Sequence, residues 1–434
     1  MNTGNCLIIH PILPGASEPG QSVRAQSDQV AEIEGLAEAI NLDVHQTYSL
    51  RVNTLRPSTF LGKGQVEIID TMINGTPDDR PDVIIFNHSL TPGQQRNLER
   101  AWNVKVIDRT GLILEIFGAR AQTAEGKIQV DLAALSYQKS RLVKSWTHLE
   151  RQRGGAGFLG GPGETQLEID RRLITQRITK LKKQLEEVRR TRGLGRDQRA
   201  KIPFPVVALV GYTNAGKSTL FNRLTGAQVL AKDMLFATLD PTLRRLELPN
   251  KQTIILSDTV GFIADLPTQL IAAFRGTLEQ VVDADVILHV CDVSASDTLS
   301  QRLEVIGVLK DLGIDYETDT RIIEVLNKCD MLPDGKMADD GLDTTFSGHP
   351  AVPVSALTGQ GIDTLQSQII TTLGGERHTL NITIPAGEGK ALAWLYQNAH
   401  ILETQPQDDG STIIICQMDN KAWGQYRSLY CNDA

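Results

Sequence analysis

Val206-Val-Ala-Leu-Val-Gly211-Tyr-Thr-Asn-Ala-Gly216-Lys-Ser218-Thr-Leu-Phe-Asn-Arg-Leu224 is the stretch on which the fold of this chain turns. An unbroken apolar run such as Val206 to Val210 is the pattern of a strand buried on both faces, as parallel sheets require. It passes at once into G-x-x-x-x-G-K-S and then into a helical pattern, the context in which that motif cradles phosphate. Glycines let the loop from Gly211 through Tyr212, Thr213, Asn214, Ala215 and Gly216 curl, so that its backbone N–H groups and the helix N-terminus face a β-phosphate. Lys217 then brings charge to the β- and γ-phosphates, and the Ser218 hydroxyl suits magnesium.

Working outward, Ile254-Ile-Leu-Ser-Asp258-Thr-Val-Gly261 ends a second apolar strand forty residues on. Asp258 there can hold magnesium through water and the Gly261 N–H can meet a γ-phosphate, with Thr259 and Val260 between them. Val325-Leu-Asn327-Lys328-Cys329-Asp330 ends another strand. The Asp330 carboxylate can accept two hydrogen bonds from guanine N1–H and N2–H, which adenine lacks, so the pattern separates GTP from ATP. In Val352-Pro-Val-Ser355-Ala356-Leu357 a turn after the last strand can aim backbone N–H groups at guanine O6. Between the first two motifs, Leu235-Phe236-Ala237-Thr238-Leu239-Asp240-Pro-Thr242 offers two threonines as a further magnesium hydroxyl, and Thr238 is the choice over Thr242. Each tetrapeptide is weak alone; their order and their strand-end placement make the set specific to a GTP-binding α/β domain.

The 434 residues exceed one ordinary core, and several domains are expected. Residues 1–120 read as a small N-terminal α/β domain, with strand patterns at Asp43 to Val52, Val83 to Phe86 and Val104 to Ile107 alternating with helical ones. Over residues 121–200, Leu132, Leu135, Leu142, Trp146 and Leu149, then Ile174, Ile178, Leu181, Leu185 and Val188, form two apolar seams at heptad spacing. Six glycines in the eleven residues Arg153 to Gly163 separate them, giving an antiparallel helical hairpin with a glycine-rich connection. Arg192 to Lys201 reads as a charged linker. Residues 201–375 hold the P-loop domain, and 376–434 a small α+β module with a hairpin across Asp408-Asp409-Gly410.

The whole chain is acidic, with 44 Lys and Arg against 52 Asp and Glu, which argues against a protein coated in nucleic acid. From Lys139 to Lys201, however, 17 Lys and Arg face 7 Asp and Glu. A coiled-coil surface carries solvated charge as a matter of course, but so long an unbalanced run is more economically read as an arm facing a polyanion. The 5 cysteines are scattered and never paired as C-x-x-C, so neither a disulfide framework nor a zinc site is supported. No H-E-x-x-H spacing occurs, and no basic n-region with an apolar stretch or 18-residue apolar run suggests export or membrane spanning. A cytoplasmic monomer is expected.

With these residues in view, the chain resembles the HflX-type GTPases of the Obg-HflX group, among the translation-factor-related GTPases. Beyond the general motifs, the resemblance is carried by Phe236-Ala-Thr-Leu-Asp-Pro-Thr-Leu-Arg-Arg245, Gly160-Gly-Pro-Gly-Glu-Thr-Gln-Leu-Glu-Ile-Asp-Arg-Arg172 and Ser58-Thr-Phe-Leu-Gly-Lys-Gly64. It covers about Val44 to Leu373, and the tail after Gly374 carries no matching motif. The resemblance implies GTP bound and hydrolysed to GDP, phosphates on Gly211 to Ser218, magnesium on Ser218 and Thr238, and guanine on Asn327, Asp330, Ser355 and Ala356. It also implies association with the large ribosomal subunit, with the glycine-rich connection near ribosomal RNA, and rescue or splitting of stalled ribosomes. Arg151, Arg153, Gly154, Gly155, Gly157, Phe158, Arg171 and Arg172 are the candidate RNA contacts. The alternative is a GTP-switched adaptor acting on RNA or protein away from ribosomes.

Phe262 follows Gly261, where many signalling GTPases carry the glutamine that orients the attacking water. A phenyl ring cannot do this, so the catalytic group is unassigned and slow intrinsic turnover with partner stimulation is expected. Arg275 and His289 read as structural. Gly62-Lys63-Gly64 could hold an anion at a helix start, but a plain helix-start turn is preferred.

Overall fold

A computed structural model describes residues 4–13, 24–75, 80–152, 166–199, 204–226, 235–236, 239, 242–264, 278, 280–332, 348–374, 378–407, 409–418 and 420–430. They form three sheets, in the order along the chain of an α/β unit, a helical pair, a larger α/β unit and a small α+β unit. This is the α/β fold with a P-loop domain that the sequence predicts.

The first unit runs β1 (Asn5–Ile12), α1 (Gln26–Glu38), β2 (Asp43–Arg51), α2 (Lys63–Gly75), β3 (Val83–Phe86), α3 (Pro92–Trp102), β4 (Lys105–Asp108) and α4 (Arg109–Arg120). Its strands pair in parallel in the order β2-β1-β3-β4. The sequence reading overlooked β1, although Cys6-Leu-Ile-Ile-His10 is buried along its whole length. That run is an apolar parallel strand, and it precedes the first strand pattern the sequence predicts, at Asp43. One face of the sheet packs Phe60, Leu61, Ile69, Leu98 and Trp102, the last donating its indole N–H to the Val66 carbonyl at 3.1 Å. Helix α3 opens on a capping box between Thr91 and Gln94. Helix α2 begins at Lys63 with the Gly62 N–H capped by Gln65 Oε1, an ordinary helix start.

Helices α5 (Ala124–Gln152) and α6 (Gln166–Arg199) pack on each other, and Ile178, Leu181 and Leu185 of the α6 seam are buried. The charged segment expected to be a linker from Arg192 is helical as far as Arg199. Arg and Gln favour helix enough to carry it past Gly193 and Gly195, each of which costs about 1 kcal/mol against alanine.

The second sheet contains β5 (Val206–Gly211), β6 (Thr242–Glu247), β7 (Thr253–Asp258), β8 (Val286–Asp292), β9 (Ile322–Asn327) and β10 (Ala351–Pro353), ordered β10-β9-β8-β5-β7-β6. All neighbours are parallel except β6 against β7. Helix α7 (Lys217–Thr225) follows β5, α8 (Thr298–Asp311) follows β8 and α9 (Ile362–Thr372) follows β10. The chain lays β6 and β7 on one side of β5 and β8, β9 and β10 on the other, so its order reverses at β5, where a crevice opens at the strand carboxyl ends.

One apolar cluster joins the two α/β units: Ile33, Leu36 and Phe117 pack with Phe236, Leu239, Val260 and Phe262. Phe117 meets Phe236 edge-on at 4.7 Å between ring centroids. The final unit holds β11 (His378–Ile384), α10 (Gly389–Asn398), β12 (His400–Pro406), β13 (Thr412–Met418) and α11 (Asn420–Tyr430), with both outer strands antiparallel to the central β13. The expected hairpin is the β12–β13 turn, where Pro406 pairs with Thr412.

Candidate nucleotide site

Each loop bearing a motif leaves the carboxyl end of a strand in the second sheet: Gly211 at the end of β5, Asp258 at the end of β7, Asn327 at the end of β9 and Ser355 just past β10. Parallel pairing therefore brings to one edge residues separated by more than a hundred positions. Gly211 and Gly216 have φ of 153° and 89°. A Cβ at Gly216 would lie 2.2 Å from Asn327 Nδ2, and one at Gly211 would lie 2.3 Å from the Val290 carbonyl oxygen, so backbone approach as well as torsion calls for glycine.

Asn327 is the hub. Its side-chain amide donates to the Ala215 carbonyl at 2.8 Å while its oxygen accepts from the Ala356 N–H at 3.0 Å, tying the phosphate loop to the turn after β10. Ser355 is fully buried and its hydroxyl accepts from the Thr358 N–H at 3.0 Å. Lys328 sits at φ 64° and pairs with Asp292 at 2.7 Å. Cys329 is buried, while Asp330 and Leu357 are exposed at the rim.

Lys217 is 6% exposed and donates to the carbonyls of Gly211 at 3.0 Å and Tyr212 at 2.6 Å. Burial pulls its ammonium down to about 8, with Asp258 pulling the other way. Ser218 Oγ donates to Asp258 Oδ2 at 2.7 Å. Thr259 anchors the end of β7 by donating to the Leu209 carbonyl at 2.6 Å, and Val260 is buried behind it. Gly261 lies so close to the loop that a Cβ would be 3.0 Å from both Lys217 Nζ and Thr213 Cα. Phe262 is 2% exposed, its ring in the shared core and its backbone bridged to the loop by Thr213 N–H to Phe262 O at 2.7 Å and Phe262 N–H to Gly211 O at 3.1 Å.

Ala237, Thr238 and Asp240 lie outside the described residues, as do Arg275 and Arg153 to Phe158. Phe236, at φ 55°, and Leu239 are buried against the N-terminal unit. Arg171 and Arg172 are exposed on α6, and Arg151 lies on α5. His289 is buried in β8, bonded to the Tyr316 hydroxyl at 2.6 Å, and burial takes its imidazole down to about 4, so it is built into the core.

The sequence gives no hint of one part of this site. The Tyr212 hydroxyl donates to Glu32 and accepts from Arg24 at 3.0 Å and from the Ala264 N–H at 2.8 Å. Arg109 donates to Glu32 and to the Ala264 carbonyl at 3.1 Å. These partners stand up to 188 residues apart and no local pattern marks them.

Four family models match in succession: "GTP-binding GTPase N-terminal" over 27–118, "GTP-binding GTPase Middle Region" over 120–199, "50S ribosome-binding GTPase" over 206–328 and "HflX C-terminal domain" over 344–425. The last extends the family likeness into the tail after Gly374, where the sequence offers no recognisable motif. The GTPase HflX of Magnetococcus marinus is 50% identical over 404 residues, covering 93% of this chain and 91% of its own. That of Escherichia coli is 43% identical, covering 91% of each. A GTP-binding protein from Sulfolobus solfataricus, solved in complex with GDP, aligns over 86% of this chain and 99% of its own at 22% identity and a TM-score of 0.45.

Proposed function

The chain belongs to the HflX family of GTPases, hydrolysing GTP to GDP and phosphate, and from that premise we propose that it binds the large ribosomal subunit in its GTP form and splits or rescues stalled ribosomes. The observation that carries the ribosomal part is the charge of the α5–α6 hairpin, 17 Lys and Arg against 7 Asp and Glu from Lys139 to Lys201 in an otherwise acidic chain. Arg151, Arg153, Arg171 and Arg172 flank glycines that admit close approach to a phosphate backbone, and Gly154, Gly155, Gly157 and Phe158 complete the candidate contact with ribosomal RNA. The family model described as "50S ribosome-binding GTPase", matched over residues 206–328, supports the same partner. Domain limits at about 120, 200 and 375 and a cytoplasmic, monomeric protein belong to the same reading. Among the described residues, no helix is long and apolar enough to cross a membrane.

Within the nucleotide site, the loop Gly211 to Ser218 holds the phosphates and Asp330 selects guanine, with Asn327, Ser355, Ala356 and Leu357 shaping the base pocket. The donor set fits magnesium: a hydroxyl and a carboxylate, Ser218 and Asp258, stand 2.7 Å apart and offer the hard oxygens that ion prefers. Ser218 and Thr238 would be direct ligands and Asp258 a partner through water; the ion would neutralise charge on the β- and γ-phosphate oxygens. Lys217 supplies charge to the transferring group. The buried Thr213 hydroxyl has no hydrogen-bond partner among the described residues, which suits an acceptor brought by the nucleotide. With Phe262 buried, water must be oriented by a group from a partner or another loop.

Cosedimentation with purified large subunits, with a non-hydrolysable GTP analogue or with GDP, tests the proposal. Binding that requires the analogue supports it; no binding in either state, with RNA or protein captured instead, favours the adaptor reading.

A further inference from the structure

We propose that Glu32 and Arg109, in the N-terminal unit, are positioning residues for GTP hydrolysis: through the Tyr212 hydroxyl and the Ala264 peptide they fix the segment Gly261–Ala264 against the phosphate loop. The proposal rests on the reading of Gly211 to Ser218 as that loop.

Tyr212 is the first open position of G-x-x-x-x-G-K-S, where the motif asks nothing of the side chain. Here the ring is 4% exposed and its hydroxyl lies at the centre of a cluster contributed largely by the N-terminal unit. Both polar groups of Ala264 are held: its N–H by the Tyr212 hydroxyl at 2.8 Å, its carbonyl by Arg109 at 3.1 Å. Ala264 stands three residues beyond Gly261, and Phe262 between them is already stitched to Thr213 and Gly211 by backbone bonds. The segment that would face a γ-phosphate is thus fastened at both ends, one to the loop and one to another domain.

Glu32 is the keystone. One carboxylate oxygen takes Arg109; the other takes Tyr212 and, at 2.7 Å, Arg24, which reaches on to Asp297 at 2.5 Å. Burial works against its charge, but Arg109 and Arg24 outweigh it and hold the carboxyl below the usual glutamate range. Both oxygens of Glu32 and the Tyr212 hydroxyl are engaged, which leaves the cluster little freedom to rearrange, and a rigid arrangement is what it hands to Ala264. Because this chain has Phe262 in place of a water-orienting glutamine, the backbone around Gly261 carries more of the geometry. A displacement of about 1 Å there can cost on the order of 100-fold in rate.

The test uses the full chain with Tyr212→Phe, Glu32→Gln and both together. Tyr212→Phe keeps the buried ring and removes a single hydroxyl, so folding, checked by thermal melting, is expected to survive. Single-turnover hydrolysis at saturating GTP should fall by roughly 10-fold or more in each, while GDP affinity stays within about twofold. The double variant should be no slower than the slower single, because residues acting as one unit do not add. Turnover by Tyr212→Phe that equals or exceeds wild type would overturn the proposal, as would losses that multiply in the double variant or that appear equally in GDP affinity. Normal GDP binding by Lys217→Ala would instead bring down the phosphate-loop reading itself.

Discussion

Two parallel sheets with the same logic lie side by side in this molecule, and their carboxyl edges are used in opposite ways. In the second sheet the strand ends open into the glycine-bearing loops proposed to meet the nucleotide. In the first, the strand ends are closed by side chains: His10 bonds Asn87 at 3.0 Å, Asn87 takes Arg109 at 3.0 Å, and Asp108 takes Tyr137 at 2.7 Å and Arg141 at 3.2 Å. A doubly wound sheet supplies a crevice at its switch point, and what fills the crevice decides whether it binds a ligand or docks a neighbour. Under the two proposals above, one edge binds nucleotide and the other holds the binder in shape.

The contrast is broken most severely at Lys217. Lys217→Ala should cost about 4 kcal/mol or more of magnesium-nucleotide affinity, on the order of a thousandfold by titration, with the melting temperature almost unmoved. Next comes Glu32→Ala, which leaves Arg109 and Arg24 buried without their shared anion. Roughly 3 to 4 kcal/mol of stability should be lost in denaturant unfolding, with nucleotide affinity far less affected. A variant at one edge thus fails in binding and its counterpart at the other fails in stability. Asp330→Asn should weaken GTP by roughly 2 to 3 kcal/mol and favour xanthine nucleotide, whose 2-oxo group suits the amide. Unaltered GTP binding would remove Asp330 from the guanine pocket.

Acid sharpens the comparison further. His289 is held at about 4 in the folded second domain against an ordinary 6.5, so the unfolded chain takes up its proton first and stability falls as pH drops through that interval. The full effect is at most about 3 kcal/mol, and His289→Gln should flatten that limb of a stability profile. Glu32, whose folded value is depressed, contributes stability above the ordinary glutamate range and loses it only as pH falls below that range, so its loss should come later.

The same contrast explains what could be read from the sequence. Val206 to Ser218, Asp258 to Gly261 and Asn327 to Asp330 are contiguous patterns, so their strand-end positions follow from the sequence alone. Glu32, Arg109 and Tyr212 meet requirements set by one another across 77 to 180 residues, and nothing beside any of them announces it. Strand β1 escaped for another reason: His10 and Pro11 interrupt its apolar run and Pro14 follows closely, and prolines count against a strand in pattern reading. Arg192 to Arg199 looked like a linker by charge and glycine content, yet helix propensity prevailed.

The central claim is that this GTPase is completed by the large ribosomal subunit through its basic hairpin. GTP hydrolysis measured with and without large subunits across a salt series, for wild type and for a variant neutralised at Arg151, Arg153, Arg171 and Arg172, tests it most directly. Wild type should be slow alone and faster with subunits. The variant should keep its basal rate, lose stimulation and show a log–log salt slope reduced by roughly 0.7 to 0.9 for each phosphate contact removed. Equal stimulation of both proteins at every salt concentration would contradict the account.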